Sequence, residues 1–396
     1  MDAIETLTVS VEKADLKSLY KLPDTVVYCT KCVISNQRPR IVFDDEGVCN
    51  ACRYWERKKT VVDWQIREKE LKDLCDRFRR NDGRHDIIVP SSGGKDSSFV
   101  AHQLKYKYNM NPLTVTWAPA IYTKIGWKNF QSLIHSGLDN VLGTPNGLVH
   151  RKLAKISAIE AGDPFMPFIY GQTLFPMRMA YAYDVALIME GENAEVEYGG
   201  DPRTENTTGN RMSEENINKY LFSGRPIEYW YQFGFTEQDL TMYYAPPMEK
   251  MIERKTERHF FSYYTDWRPQ KNYYYCVENT GFQANQEGRL EGTFTKYAGL
   301  DDKVDPFHYY FMLLKFGIGR ATSDAAHEVR EDLINREEAV QLVRRYDAEF
   351  PKKSFPTFLE YCDFSEEEFW KICERWRNPA LWEEKGDDWV LKQQVT

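Results

Sequence analysis

The sequence lacks several features that would assign it to other classes of protein. Its 396 residues contain no run of about 18 apolar residues, which a membrane-spanning helix needs. The first ten residues, MDAIETLTVS, carry no basic residue and no apolar stretch, so no signal peptide is expected. The formal net charge of −8 disfavours a general grip on nucleic acid phosphates. We therefore expect a cytoplasmic protein without a membrane span that does not bind nucleic acid.

Cysteine is scarce, but half of it is concentrated in two tight pairs. Cys29 and Cys32 form one C-x2-C pair, and Cys49 and Cys52 form another. Two such pairs can complete a tetrahedral all-sulfur shell, which suits Zn²⁺. The intervening IVFDDEG predicts a strand and a turn, as in a zinc ribbon. A closed four-cysteine site has no open coordination position, so its predicted role is structural. An iron–sulfur cluster and four free thiols are the alternatives.

The strongest chemical signal is a small-residue turn between an apolar run and a helical pattern. Asp86 to Pro90 predicts a buried strand, and Asp96 begins a pattern typical of a helix. Such a strand–turn–helix forms an anion site, because backbone N–H groups and the helix dipole converge on the ligand. Neither a Walker loop nor a G-x-G-x-x-G fingerprint is present. The predicted phosphate-binding residues are Ser92, Gly93, Gly94, Lys95, Asp96 and Ser97.

Two of these residues are the predicted catalytic pair. Lys95 adds a positive charge next to the phosphates, and Asp96 holds Mg²⁺ or caps the helix. SGGKDS matches the S-G-G-x-D-S motif of the PP-loop ATP pyrophosphatases. In that superfamily the loop holds the β and γ phosphates as leaving pyrophosphate, and the α-phosphate faces the substrate.

Strand and helix patterns then alternate up to about residue 200, as in a doubly wound parallel sheet. Ligands bind beyond the carboxyl ends of strands in such sheets. The strand Leu113 to Trp117 therefore points to an adenine site at Trp117. The strand Val185 to Met189 is followed by Gly191, Glu192 and Asn193, which are further candidates for contacts with ATP. A simple turn is the alternative for these three residues.

Candidate substrate residues lie in the C-terminal half. Lys296, Asp301, Asp302 and Asp305 are polar groups in an aromatic stretch, and they are candidates for holding Mg²⁺ or phosphate. A solvated acidic loop is the alternative. Arg320, His327 and Arg330 form a candidate anion-binding group beside a glycine-rich loop. Asn335 and Glu338 predict a capping box at the start of the next helix.

The predicted organisation has three parts. Residues 1–60 hold the zinc-ribbon-like knuckle, and residues 61–201 form the PP-loop α/β domain. Residues 202–396 combine a substrate-binding or partner-binding insertion with a mostly helical C-terminal region. The insertion, at 202–260, is rich in aromatic residues and is expected to expose them. The tail after residue 350 predicts tryptophan-rich helices with no assignable role.

Taken in order, these features resemble the N-acetyl sugar amidotransferases, bacterial enzymes of surface-polysaccharide synthesis. The resemblance covers about residues 28–350. It includes both cysteine pairs, SGGKDS, the Gly191-Glu192-Asn193 turn, the WRPQ stretch at 267–270 and the arginine-rich hairpin around 320–347. It implies an ATP-dependent conversion of an acetamido group on a nucleotide-linked sugar to an acetamidino group, as in lipopolysaccharide O-antigen biosynthesis.

The resemblance also implies a source of nitrogen. No glutaminase signature is evident in the sequence, so ammonia comes from solution or from a partner. The implied partner is similar to the glutaminase and cyclase subunits of imidazole glycerol phosphate synthase. The implied cofactors are ATP, Mg²⁺ and Zn²⁺.

Two other functions remain open from the sequence. PP-loop enzymes that thiolate tRNA also carry zinc knuckles, but they need further thiols near the site. Cys75, Cys276, Cys362 and Cys373 are isolated in the sequence, which disfavours that function. A non-enzymatic zinc-ribbon interaction protein is the second alternative, and the intact phosphate loop disfavours it.

Overall fold

A computed structural model describes residues 12–204, 224–386 and 388–396. Its centre is a five-stranded sheet in the order β3-β2-β1-β4-β5, in which all neighbouring strands are parallel. The strands are β1 Ile87–Pro90, β2 Pro112–Trp117, β3 Asp139–Gly143, β4 Leu187–Glu190 and β5 Glu257–Phe260. The order reverses between β1 and β4, which makes this the topological switch point of the sheet.

Apolar composition explains why the central strands are covered on both faces. Ile87, Ile88 and Val89 of β1 are almost fully buried, and Ile88 pairs with Leu113 of β2 and Ile188 of β4. Parallel strands buried on both faces read as continuous apolar runs rather than alternating patterns. The predicted fold class is confirmed.

Helices cover both faces of the sheet and form most of the C-terminal half. The α-helices are α1 Leu16–Tyr20, α2 Asn50–Thr60, α3 Trp64–Phe78, α4 Lys95–Tyr106, α5 Lys124–His135, α6 Gly147–Ala161, α7 Met166–Ala182, α8 Ala194–Glu197, α9 Met248–Glu253, α10 Phe261–Tyr264, α11 Pro269–Asn279, α12 Asp305–Phe316, α13 Arg320–Arg330, α14 Arg336–Tyr346, α15 Phe355–Cys362 and α16 Glu366–Trp376. Short 3₁₀ helices span Pro202–Thr204, Ile227–Phe233 and Thr241–Tyr243, and β6 Trp382–Lys385 pairs with β7 Asp388–Leu391 as an antiparallel hairpin. The predicted capping box at Asn335 and Glu338 is present at the start of α14.

The C-terminal helices share one apolar core with the N-terminal segment. Phe307 of α12 stacks on Phe358 of α15 with ring centroids 3.9 Å apart. The same core includes the four clustered cysteines and Leu16 of α1. The cysteine-containing segment therefore packs on the C-terminal half of the chain.

The segment 202–260 differs from the expectation of an exposed aromatic insertion. Residues 205–223 lie outside the described residues. Within 224–260, Trp230, Phe235 and Tyr243 are buried in the same core as helix α7, because they cover an apolar face of the sheet layer. The segment also supplies β5, so the sheet takes a strand from beyond residue 201. The predicted boundaries at 60 and 201 stay a prediction.

In the part of the chain that the structure describes, no helix is long and apolar enough to cross a membrane.

Candidate active site

Two loops meet at the switch point of the sheet. The phosphate loop, Ser92 to Ser97, follows β1 and leads into α4, and Gly191 and Glu192 follow the neighbouring strand β4. Together they line a cleft with a volume of about 260 Å³. All six predicted phosphate-binding residues line this cleft, as do Gly191 and Glu192. Their roles in binding ATP remain predictions, but the fold brings them together.

The two glycines of the loop serve different purposes. Gly93 has φ +87°, and a Cβ atom there would lie 2.6 Å from the backbone of Phe130 in α5. Gly94 has φ −66°, and a Cβ atom there would meet nothing closer than the Ser92 hydroxyl at 3.5 Å. Gly93 is therefore required by the fold, whereas Gly94 leaves open space on the ligand side of the loop.

Two side chains of helix α11 donate hydrogen bonds to the phosphate loop. The Asn272 side chain donates to the Asp96 carboxylate at 2.9 Å, and the Cys276 thiol donates to the Lys95 carbonyl at 3.0 Å. The second Asp96 oxygen accepts a hydrogen bond from the Lys95 ammonium. Neither contact from α11 was predicted from the sequence, in which Cys276 is an isolated cysteine. The signal was the i, i+4 spacing of these two polar side chains on the buried face of α11.

Carboxylates concentrate at the opening of the cleft. Asp96, Glu192, Asp301 and Asp305 all line it. Burial, followed by the nearby Asp96 carboxylate, raises the pKa of Glu192 to about 7. Burial also raises the pKa of Asp305, to about 6. Mg²⁺ typically binds one or two carboxylates together with substrate phosphates. Asp96 and Glu192, beside the phosphate loop, fit that donor set.

The cleft opens into a larger cavity, which we call the main cavity, of about 660 Å³. Lys95, Asp96 and Glu192 line both spaces, and so do Tyr297 and Arg320 from the C-terminal half. The main cavity is bounded on its other sides by α7, α12 and α13. It is large enough for a second substrate beside the phosphate loop.

Two of the predicted substrate residues on α13 line the main cavity. Arg320 pairs with Asp324 at 3.2 Å, and its guanidinium lies 4.7 Å from the centre of the Tyr309 ring. His327 is buried, and its Nδ1 lies 2.8 Å from Glu331. Burial alone would lower the pKa of His327, but the Glu197 and Glu331 carboxylates raise it. Asp301 also lines the cavity.

Five other predicted site residues lie away from both spaces. Trp117 is buried between Phe175 and Tyr243, because its side chain points into the core under β2. Asn193 is the N-cap of α8, and its side chain accepts a hydrogen bond from the Glu195 backbone amide. Lys296 is exposed on the surface. The structure gives these three no contact with the cleft, and their predicted roles stay untested.

Asp302, the fourth of them, belongs to the scaffold in this structure. It is 1% exposed and accepts hydrogen bonds from the backbone amides of Ala120, Ile121 and Val304. Burial raises the pKa of Asp302 to about 7. It is not a solvated acidic loop residue; it fastens the segment before α12 to the loop after β2.

Arg330 faces the cysteines and not the cavity. Its guanidinium lies 3.6 Å from the Cys32 sulfur and donates to the Glu197 carbonyl at 2.9 Å. It was predicted to join His327 in binding an anion. The single helical turn between them instead directs Arg330 to the cysteine cluster.

The cysteine cluster consists of Cys29, Cys32, Cys49 and Cys52, and all four are buried. Their sulfurs lie within 4.8 Å of one another, with separations of 3.9 Å and 3.8 Å for two of the pairs. A tetrahedral ion with Zn–S bonds of about 2.3 Å requires sulfurs about 3.8 Å apart. The four cysteines could hold a metal ion, and the spacing fits zinc. Elsewhere in the described ranges, no three His, Cys, Asp or Glu side chains lie close enough to share one.

A buried polar network joins the cluster to the main cavity. Lys58, on the helix that starts at the second cysteine pair, forms an ion pair with Glu197 at 3.1 Å, and both side chains are 1% exposed. Glu197 lies 3.6 Å from His327, which lines the cavity. The cysteine-containing segment is thus in contact with one wall of the cavity.

The fold and the cleft define an α/β protein with a parallel sheet, a glycine-containing loop at the switch point and a four-cysteine cluster. Residues 291–396 match the family model described as "LPS biosynthesis protein WbpG-like, C-terminal domain". This match agrees with the resemblance to surface-polysaccharide enzymes. It also includes the tail after residue 350, to which the sequence analysis gave no role.

A second match covers a shorter part of the chain. It is to "Uncharacterized protein MJ1599" of Methanocaldococcus jannaschii, with 27% identity over 88 residues. These residues are 22% of this chain, and the chain spans about a third (31%) of the length of that relative.

Among solved structures, the chain is similar to two synthetases. One is an NH3-dependent NAD synthetase from Campylobacter jejuni, with TM-score 0.29 and 14% identity, covering 49% of this chain and 94% of that one. The other is an NMN synthetase from Francisella tularensis, with TM-score 0.28 and 12% identity, covering 57% of this chain and 90% of that one. At these scores neither likeness carries an argument about function.

Proposed function

We propose that this protein is an ATP-dependent amidotransferase of lipopolysaccharide O-antigen synthesis that acts in the cytoplasm. Its substrate is a nucleotide-linked sugar, on which an acetamido group becomes an acetamidino group. The products from ATP are AMP and pyrophosphate. One observation carries the proposal. The phosphate loop at the switch point opens into a cavity walled by part of the segment that matches the LPS biosynthesis family.

The chemistry requires two displacements. The acetamido oxygen attacks the α-phosphate of ATP, the bond to the β-phosphate breaks, and pyrophosphate leaves with the electron pair. The resulting O-adenylyl imidate has a good leaving group where the amide had none. Ammonia then attacks the imidate carbon, and AMP leaves with the oxygen that had belonged to the amide. The surplus proton from ammonia passes to the phosphate or to solvent.

The loop residues supply positioning and charge. The backbone amides at Gly93 and Gly94, with Ser92 and Lys95, hold the departing pyrophosphate at the N-terminus of α4. Asp96 and Glu192 would hold Mg²⁺, which would neutralise phosphate charge. Arg320, at the boundary of the cleft and the main cavity, faces the side from which the second substrate approaches. The cysteine cluster holds Zn²⁺ in a structural role.

Nitrogen comes from a partner in this proposal. Free ammonia is scarce near neutral pH, because the ammonium form dominates. The partner resembles the glutaminase and cyclase subunits of imidazole glycerol phosphate synthase. The purified chain is expected to use ammonium at high concentration, better at raised pH, and to use glutamine only when such a partner is added.

The test combines nucleotide analysis with a choice of nitrogen source. The chain is incubated with ATP, Mg²⁺ and UDP-linked diacetamido sugars, and with either ammonium or glutamine. AMP and pyrophosphate that form only with an acetamido sugar support the proposal. ADP and phosphate as products would refute the PP-loop chemistry. Amidine formed from glutamine by the chain alone would refute the need for a partner.

Thiolation of tRNA remains the second candidate, and the position of Cys276 bears on it. This thiol is beside the phosphate loop, where a sulfur-transferring cysteine would be useful. However, Cys276 is fully buried, and burial raises its pKa to about 12. A thiol in that state is a poor nucleophile. A gel-shift assay with tRNA separates the two functions.

A further inference from the structure

A second pocket adjoins the main cavity on the side away from the phosphate loop. This side pocket has a volume of about 200 Å³ and lies between α1, α7, α12 and the segment after the first cysteine pair. Arg38, Ile169, His308 and Met312 line both spaces. A ligand in the main cavity can therefore extend into the side pocket without crossing the core.

The positive charge of the side pocket exceeds its negative charge. Its charged lining residues are Arg38, Arg40, Asp163, His308 and Lys315. Two of the cations are matched by acids: Arg40 pairs with Glu195, and His308 lies 2.9 Å from Asp163. Arg38 and Lys315 have no carboxylate within ion-pair distance among the described residues.

Both cations lie near aromatic rings but have no ion-pair partner among the described residues. The Lys315 ammonium lies 5.5–5.8 Å from the centres of the Tyr20, Phe316 and Trp376 rings, and the Arg38 guanidinium lies 5.9 Å from that of Tyr198. Lys315 is 6% exposed, and its ammonium donates to one backbone carbonyl, that of Ala161, at 3.3 Å. The Arg38 guanidinium donates through Nε to the Gly199 carbonyl at 2.5 Å. A buried ammonium with so few acceptors is costly, because a backbone carbonyl does not neutralise its charge. An anion bound between Arg38 and Lys315 would remove that cost.

We propose that the side pocket binds the phosphate-bearing end of the second substrate, with Arg38 and Lys315 as its ligands. The sugar would then lie in the main cavity, with its acetamido group towards the phosphate loop. Phosphate is a suitable occupant because guanidinium and ammonium groups bind its oxygens with strong charge-assisted hydrogen bonds. The inference rests on the proposed function only for the molecule that carries the phosphate.

The test measures binding, not turnover. UDP is titrated by calorimetry into the full chain and into Arg38→Gln and Lys315→Met variants, with uridine as a second ligand. Each variant should weaken UDP binding about tenfold or more, since each removes a hydrogen bond to a charged group. Uridine should bind much more weakly than UDP to the wild type, and the variants should not weaken it further.

Two control variants separate the side pocket from the phosphate loop. Gly94→Ala obstructs the phosphate loop and should weaken binding of a non-hydrolysable ATP analogue while sparing UDP. Arg289→Gln removes a cation that pairs with Glu349 and does not line the side pocket, and it should change neither ligand. If Lys315→Met fails to fold, the more exposed Arg38→Gln still decides the outcome.

Three results would overturn the inference. These are UDP binding that both pocket variants leave unchanged, UDP binding that only Gly94→Ala weakens, and equal affinity for UDP and uridine. None of them is the result that defeats the proposed function, which is failure to form AMP and pyrophosphate from ATP. An ammonia passage through the side pocket is the competing use. An ammonia passage predicts that the pocket variants leave the affinity for UDP unchanged. It also predicts that the Lys315→Met variant needs a higher ammonium concentration for turnover.

Discussion

The cysteine cluster and the phosphate loop are both short motifs, yet their surroundings differ. The four cysteines are buried in a core that joins the N-terminal segment to the C-terminal helices. The phosphate loop lies at the carboxyl end of the central strand β1. It faces open space in the cleft and the main cavity. A closed site stabilises the fold, whereas an open one is available for chemistry. Substitutions in the two regions should therefore damage different properties.

The largest effect is expected in the cysteine cluster. Cys49→Ser should lose the metal and leave the protein poorly folded, because binding at such a site is coupled to folding and contributes about 10 kcal/mol or more. Metal content by atomic emission and thermal unfolding check this. Cys75→Ser is the matched control, since Cys75 is a buried thiol outside the cluster. It should keep the metal and cost about 1–3 kcal/mol. Full metal content in Cys49→Ser would contradict the assignment.

The two adjacent glycines of the phosphate loop should affect different properties, Gly93 the stability of the fold and Gly94 the binding of phosphate. Gly93→Ala should lower the free energy of unfolding by about 2 kcal/mol or more, because its Cβ would meet the Phe130 backbone at positive φ. Gly94→Ala should cost about 1 kcal/mol or less, as an altered helix N-cap, while obstructing the phosphates. Urea unfolding and binding of an ATP analogue measure the two effects. Similar stability of both variants would mean that the loop is not as tightly packed as described.

The next effect concerns chemistry alone. Asp96→Asn keeps the shape of the side chain and its contact with Asn272 but removes the charge expected to hold Mg²⁺. Formation of pyrophosphate should fall about a hundredfold or more, since a metal ion supplies several kcal/mol of charge stabilisation. The exposed carboxylate of Asp139 provides the control, as Asp139→Asn should leave the rate unchanged. Equal rates in both variants would remove Asp96 from the predicted catalytic pair.

The smallest expected effect is a pH dependence of the free energy of unfolding. It comes from His308 and Asp163, which pair in the wall of the side pocket. Burial would lower the pKa of His308, but the Asp163 carboxylate outweighs burial and raises it. Burial would raise the pKa of Asp163, yet His308 lowers it. The stabilisation from His308 is full below the unfolded pKa of about 6.5 and is lost as pH rises through the folded pKa. That from Asp163 is present above about pH 4 and is lost on acidification.

Urea unfolding of wild type and Asp163→Asn across pH measures this pair. The difference in the free energy of unfolding between the two proteins should be greatest in weakly acidic solution. In that range Asp163 is ionised and His308 is protonated. Metal content should be the same in both. A difference that does not change with pH would show that the pair contributes no linked stability.

The contrast between the two regions also explains how much could be read from the sequence. The cysteine pairs and SGGKDS are local patterns, so spacing alone predicted the cluster and the composition of the loop. Glu192 was reached by a general rule about strand ends in parallel sheets. These predictions use only residues that are close together in the sequence. The structure brings the four cysteines together in one cluster, and the phosphate loop and Glu192 together in the cleft.

The rest of the site depends on contacts between distant segments. Asn272 and Cys276 support the phosphate loop from about 180 residues away in the chain. Their i, i+4 spacing indicates a shared helix face, but no local pattern indicates that this face contacts the phosphate loop. Helical spacing placed His327 and Arg330 on one face but could not say that the cysteines lie beside Arg330. Trp117 ends a strand as predicted, yet its side chain points to the core and away from the cleft.

The most direct test of the central claim follows the oxygen atom of the acetamido group. The chain is given ATP, Mg²⁺, ammonium and a UDP-linked diacetamido sugar whose acetamido oxygens carry a heavy isotope, and the products are analysed by mass spectrometry. If the amide is activated by adenylation, the amidine sugar has lost one label, AMP has gained it, and pyrophosphate is unlabelled. Label in pyrophosphate, or an amidine formed with unlabelled AMP, would contradict activation of the amide by adenylation.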